Sequence, residues 1–266
     1  SKADIQECIK HVVDIGYGEK TDIAPDIKIS MENAGHILGS SSVYMQIGEG
    51  SHEHRLLFSG DIKYEKSWLF DAAAVRFPKA DTLVIESTYG GPQDFQPNRT
   101  DATHEIQDLV KLAVSRSGKI FCPVFAVGRS QEVMLAIDQL FKSGEVTPIT
   151  VWLDGMISEA TAIHASHPDY LNRDLRKQVL RGGEENPFNS PWFKQVDSRE
   201  QRESILNDPS PCIVLATSGM MTGGPIMEYF KNWAPELNNT LCFVGYQASG
   251  TMGRRLQSGH PEVPMV

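Results

Sequence analysis

At 266 residues the chain has room for one large domain or two ordinary ones. Its 40% hydrophobic and 22% charged content excludes wholesale disorder. A net charge of -9 excludes a histone-like, charge-driven grip on nucleic acid, but leaves room for a carboxylate-rich nuclease site with few, local phosphate contacts.

In chain order, residues 4–13 place Ile5, Ile9, Val12 and Val13 on one side of a predicted helix that Gly16 and Gly18 end. Pro25 opens the extended run IKISMEN, and SVYMQIG is expected to pair with HRLLFSG across the turn GEGSHE. This β-rich opening reads as half of a sandwich, starting abruptly on a helix. The stretch TYGGPQDFQPNRT is rich in Gly and Pro and has no periodicity, so residues 1–90 and 91–266 are expected to form separate domains. Beyond it come a helix at 101–115, strand KIFCPVFAV, a helix at 130–141, strand PITVWLD and a helix through Ile163. A helix at 200–206, strand CIVLATSG, helix PIMEYFKNW, strand TLCFVGY and a short helix at 252–256 continue the alternation. Such alternation predicts βαβ units and a mainly parallel sheet covered by helices. Residues 173–197 read as a long polar excursion over the surface.

No apolar run approaches the roughly 18–20 residues of a membrane helix, and no signal-peptide pattern follows Ser1, so a soluble protein is expected. Of Cys8, Cys122, Cys212 and Cys242, the last three sit in strand-like runs, where a free thiol behaves as a small apolar group. With no CxxC pair, neither a cysteine zinc site nor a disulfide framework is expected, and the compartment reads as reducing and cytoplasmic.

Three polar side chains stand at the tips of predicted strands: His36 in NAGHILGSSS, Asp61 ending LLFSGD, and Glu86 in LVIESTYGG. Gly35 and Gly60 permit the close backbone approach that gathers ligands around a metal ion. Neutral imidazole is a common zinc ligand, and Asp61 is placed to bridge two metal ions in a hydrolytic site. Glu86, at the end of a buried strand, is suited to orienting a histidine. The three are expected to share one site. By contrast, His52 and His54 read as a solvated turn, and His164 and His167, before Pro168, as a helix terminus. Three Gly-rich turns, FAVGRSQE, ATSGMMTGG and GYQASGTMGRR, each follow a strand and open a helix, an arrangement suited to phosphate. Arg129, Arg254 and Arg255 add bidentate donors.

Together, NAGHILGSS, LLFSGD, DTLVIESTYGG, VFAVGRSQE, ATSGMMTGGP and GYQASGTMGRR are similar to the β-CASP branch of the metallo-β-lactamase superfamily. Within that branch the chain most resembles the archaeal cleavage and polyadenylation specificity factor-like ribonucleases. The resemblance spans nearly the whole chain. It implies an α/β fold: a partial metallo-β-lactamase αββα core followed by a β-CASP domain with a mainly parallel sheet flanked by helices. It implies zinc-dependent hydrolysis of RNA phosphodiesters, endonucleolytic, 5′-to-3′ exonucleolytic or both, in RNA 3′-end processing, transcription termination or decay. Two zinc ions serve the complete site in such enzymes. On this resemblance His36 and Asp61 are metal ligands, Asp61 and Glu86 catalytic, and Arg129, Ser130, Ser218, Gly219 and Arg254 line the RNA backbone.

The family's HxHxDH run is absent, as are its two later histidine motifs. A closed zinc site takes about four ligands, so the chain is expected to be a catalytically incomplete fragment with weak or no zinc binding. RNA is the implied partner, with KH RNA-binding domains upstream and a homodimer in the full-length protein, and no membrane. A DNA nuclease of the same branch and a pseudo-nuclease scaffold are the competing readings.

Overall fold

The computed structural model describes residues 1–94 and 98–259, so part of the Gly- and Pro-rich stretch, residues 95–97, lies outside the described residues. The chain divides into two compact units, Ser1–Lys66 with Asp71–Asp94 and Ser67–Phe70 with Phe95–Val266.

In the first unit, helix α1 (Lys2–Lys10) buries no residue, and the expected apolar side with Ile5 and Ile9, continued by Val12 and Val13, lies exposed. Strands β1 (Lys20–Ala24), β2 (Ile27–Asn33), β3 (Ser41–Ile47), β4 (His54–Phe58) and β5 (Thr82–Val84) are hydrogen-bonded in that order. The expected hairpin is present, with Val43 opposite Phe58 and Ile47 opposite His54. Strand β1, KTDIA, was not expected: it is an edge strand without an apolar run, held by antiparallel pairing with β2. Because β2–β3 and β3–β4 are antiparallel and β4–β5 is parallel, β2, β4 and β5 run in one direction. The ends of these three strands therefore open on the same sheet edge, and they are followed by His36, Asp61 and Glu86.

The second unit contains α2 (Arg99–Ser115), β6 (Ile120–Pro123), α3 (Arg129–Ser143), β7 (Val151–Asp154) and α4 (Ile157–Ser166). It continues through α5 (Arg173–Arg181), β8 (Phe193–Gln195), α6 (Arg199–Asn207), β9 (Ile213–Ala216), α7 (Ile226–Trp233), β10 (Thr240–Leu241) and α8 (Met252–Gln257). The sheet order is β10-β6-β9-β7-β8, with every pair parallel. Strands β6 and β9 are buried throughout, as the continuous apolar runs of a doubly covered parallel sheet require. Phe121, Val214, Ile226, Tyr229, Phe230 and Trp233 form one packed cluster. Lys119 is buried beside it, donating to the Asp208 and Ser210 carbonyls with its ammonium 5.0 Å from the Trp233 ring centre.

The stretch 173–197 is not the loose excursion expected from its polarity. It holds α5, 3₁₀ turns at Gly183–Glu185 and Pro187–Asn189, and β8 paired to β7. Helix α5 buries only Leu175 and Val179, one helical turn apart, and Asn172 caps its start through the Leu175 amide at 3.1 Å. The Asn172 amide also donates to the carbonyls of Ser67 and Trp68, at 3.2 and 2.7 Å, tying the tetrapeptide Ser67–Phe70 into this unit. Among the described residues no helix is long and apolar enough to cross a membrane.

His164 on α4 lies 1% exposed, packed 6.0 Å from the Phe70 ring centre. Its Nδ1 sits 2.7 Å from the Ala160 carbonyl and its Nε2 has no partner among the described residues. Burial holds its pKa below the usual histidine value, the Ala160 contact opposing it only in part. The unfolded chain, with an ordinary imidazole of pKa about 6.5, therefore takes up this proton first as pH falls. Stability is full above that value and drains away below it. Urea midpoints measured across this range should fall for the wild type, and His164→Leu should flatten that slope.

Candidate active site

The β2–β3 turn that carries His36 is fixed by side chains on both sides. The Asn33 side-chain oxygen accepts from the Gly35 amide at 2.8 Å, while its amide nitrogen reaches the Asp71 and Ala72 carbonyls. The Ser40 hydroxyl accepts from the amides of both His36 and Ile37 at 3.1 Å. Gly35 adopts φ +68°, and a Cβ there would lie 2.8 Å from the Ala73 nitrogen and 2.9 Å from the Asp71 and Lys63 carbonyl oxygens. No side chain fits that space.

The Asp61 turn is joined to the end of β5 by Ser59 and Glu86. The Ser59 hydroxyl donates to the Gly60 carbonyl at 2.6 Å and accepts from the Glu86 amide at 3.0 Å. The Glu86 carboxylate in turn accepts from the Ile62 amide at 2.9 Å and the Thr88 amide at 3.1 Å. Burial, its largest single influence, pushes the Glu86 pKa up. The Thr88 side chain, the Ile62 and Thr88 amides and the His36 charge together outweigh it, so the net shift is downward. Glu86 is thus held as a carboxylate, suited to fixing the Asp61 turn rather than to giving up a proton. Across the edge, His36 Nε2 lies 3.9 Å from Asp61 Oδ2, both side chains open to solvent. The three strand-end groups therefore meet in one place. Ser40 and Ser59, which hold the turns, lie within the motifs NAGHILGSSS and LLFSGD, but the sequence alone assigned them no role of their own.

The imidazole and carboxylate are donor types that zinc accepts. Their 3.9 Å separation is a little wider than the roughly 3.4 Å between two donors of a tetrahedral zinc ion with bonds of about 2.0–2.2 Å. In number they fall short: among the described residues no group of three or more His, Cys, Asp or Glu side chains is arranged to hold a metal. The pair fits part of a zinc site, not a whole one. His52 and His54 are exposed, and His54 Nε2 lies 3.0 Å from the Thr82 hydroxyl.

In the second unit, β6 connects onward to β7 across β9, and β9 connects onward to β10 across β6. Neighbouring strands whose connections leave in opposite directions mark the crevice where open α/β sheets bind ligands. The turns carrying Arg129, Ser130, Ser218 and Gly219 follow these two strands. Several of their main-chain donors are taken. The Gly128 amide at the start of α3 donates to the Gln131 side chain at 2.7 Å, and Ser130 is fully buried with its hydroxyl donating to the Ala126 carbonyl. The Ser218 hydroxyl accepts from the Thr222 amide at 3.0 Å and reaches the Gly223 carbonyl at 3.1 Å. Gly219 is buried because the Phe125 ring and main chain cover it, and a Cβ there would lie 2.8 Å from Phe125 Cδ2. The Thr251 hydroxyl accepts from the Arg254 amide at 3.3 Å. Outward these turns present Arg129, half-exposed and paired to Glu132 at 2.5 Å, and Arg254 and Arg255, both exposed.

A family model described as the Beta-Casp domain matches residues 130–256. The transcription termination factor FttA of Methanosarcina mazei is 52% identical over 262 residues, covering 98% of this chain and 41% of that protein. The chain carries a Beta-Casp domain. The FttA proteins of Methanocaldococcus jannaschii and Thermococcus kodakarensis are 47% and 46% identical, each over 263 residues, covering 99% of this chain and 41% and 40% of the relative. The chain thus spans about two fifths of the length of these curated relatives. The β-CASP match lies within the second unit and takes in Ser130, Ser218, Gly219 and Arg254, while the first unit with His36, Asp61 and Glu86 is shared with the FttA relatives.

Proposed function

We propose that this chain forms part of a zinc-dependent ribonuclease that hydrolyses RNA phosphodiesters, as an endonuclease, a 5′-to-3′ exonuclease or both, in 3′-end processing, transcription termination or decay. The observation that carries the reading is the meeting of His36, Asp61 and Glu86 on one sheet edge of a β-CASP chain. The FttA relatives are transcription termination factors, which supports the termination role. His36 and Asp61 supply donors to the metal site, and Glu86 holds the Asp61 turn from behind. Zinc, when bound, supplies charge stabilisation at phosphorus and acidifies the attacking water. Arg129 and Arg254 offer bidentate contacts to RNA phosphate, with Ser218 and Gly219 shaping the turn beside them. Free thiols, those of Cys122 and Cys212 buried, suit a reducing cytoplasm. Partner KH domains and a homodimer belong to the same proposal for the longer protein.

With two donors in hand, this chain alone is expected to take up zinc weakly and to cleave no RNA. In the longer protein, Asp61→Asn should lower RNA cleavage by at least about 100-fold, since even residues that only support a metal ligand are worth 10–100-fold. Tight, stoichiometric zinc uptake by the isolated chain, or full cleavage by the Asp61→Asn protein, would overturn the reading.

A further inference from the structure

Single-stranded RNA needs, besides phosphate donors, a surface for its bases. We propose that Phe125 is a base-stacking platform, a nucleobase subsite at the carboxyl end of β6; this rests on the reading of the chain as an RNA-acting protein. Phe125 is seated on Gly219, which must lack a side chain to admit its ring and main chain. Yet Phe125 stays 49% exposed, and Val127, two residues on, stays 40% exposed. A half-exposed aromatic residue backed by a glycine backbone is held in place without being fully covered. That is what stacking on a base requires.

The surroundings fit a nucleotide. The Gly219 carbonyl is fixed from beneath by the buried Gln247 amide at 2.8 Å, so the ring's support is rigid. The Ser218 and Thr222 hydroxyls lie on the same turn as Gly219, and Arg129 closes the turn that carries Phe125. A guanidinium for phosphate, beside a pinned aromatic face for the base, supplies the two parts of single-strand recognition. The crossover of connections at β6 and β9 puts both parts at the binding crevice of this sheet.

Fluorescence anisotropy with a short single-stranded oligoadenylate and a strand of abasic ribose phosphates tests this on the chain as it stands. Phe125→Leu, which keeps an apolar cover on Gly219, should weaken oligoadenylate binding by roughly 5- to 100-fold, the usual range for one stacked base. Phe125→Trp should restore it. The abasic strand should bind the wild type and Phe125→Leu alike. The dependence of affinity on salt should be unchanged in Phe125→Leu, whereas Arg129→Ala should flatten it, because only the latter removes a phosphate contact. Equal oligoadenylate binding by wild type and Phe125→Leu overturns the subsite while leaving the ribonuclease reading intact. Failure of the wild-type chain to bind oligoadenylate at low salt also overturns it, and cleavage by the longer protein then decides the ribonuclease reading separately.

Discussion

Arg202→Ala is expected to destabilise the second unit by about 3–5 kcal/mol, the usual penalty for stranding a buried charge. Asp154, at the end of β7, is 1% exposed. Its carboxylate takes Arg202 Nε at 2.7 Å and Nη2 at 2.9 Å, and accepts the Tyr229 hydroxyl at 2.8 Å. This fork joins β7 to α6 and α7. The hydrogen bonds to Asp154 are also the first cause of the raised Arg202 pKa, burial opposing them. Removing the guanidinium leaves a carboxylate sealed from water with Tyr229 as its remaining donor. Asp154→Ala should cost less, because Arg202 is 17% exposed and already touches Glu228 at 3.4 Å. Chemical denaturation of both single variants and the double variant gives the coupling. A double variant as damaged as the sum of the singles would mean that the pair is not acting as a unit.

Gly35→Ala is expected to cost the first unit about 2–5 kcal/mol. A left-handed backbone costs a side-chain-bearing residue about 1–2 kcal/mol, and forcing a methyl into a filled space adds about 1–3 kcal/mol. Here the obstructing atoms are main chain on three sides, at 2.8 and 2.9 Å, so none can rotate away. Hydrogen exchange should show the loss confined to residues around β2, β3 and the 71–74 segment, with the amides of β6 and β9 unchanged. Because His36 is the next residue, the variant should also move the imidazole away from Asp61, seen as a change in the His36 ring resonances. A variant with wild-type exchange and unshifted resonances would show that the turn tolerates a side chain.

The parallel sheet was legible because β6, β7 and β9 are short apolar runs separated by helical periodicity, the pattern that burial on both faces imposes. The candidate site was legible because His36, Asp61 and Glu86 each follow a strand, and His36 and Asp61 each follow a glycine. What stayed hidden lacked a periodic signal. Helix α5, RDLRKQVLR, shows two buried positions among charged ones, and β1 and β8 are short edge strands whose residues are mostly exposed. The Asp154–Arg202–Tyr229 fork joins residues far apart in sequence, so no spacing announces it. The inward turn of Ser130 was equally invisible, since a serine opening a helix reads the same whether its hydroxyl faces water or the Ala126 carbonyl.

The tetrapeptide Ser67–Phe70 sets a rule for cutting or grafting this protein. The polypeptide enters the second unit there, leaves again at Asp71, and returns only after Asp94. A chimaera made by splicing at residue 95 would discard the carbonyls that Asn172 reads and the ring beside His164, along with the buried Leu69. The excised half would expose the buried His164 to water and loosen the start of α5. Exchanges between relatives must therefore carry the tetrapeptide with the half it completes, not with the half whose sequence surrounds it.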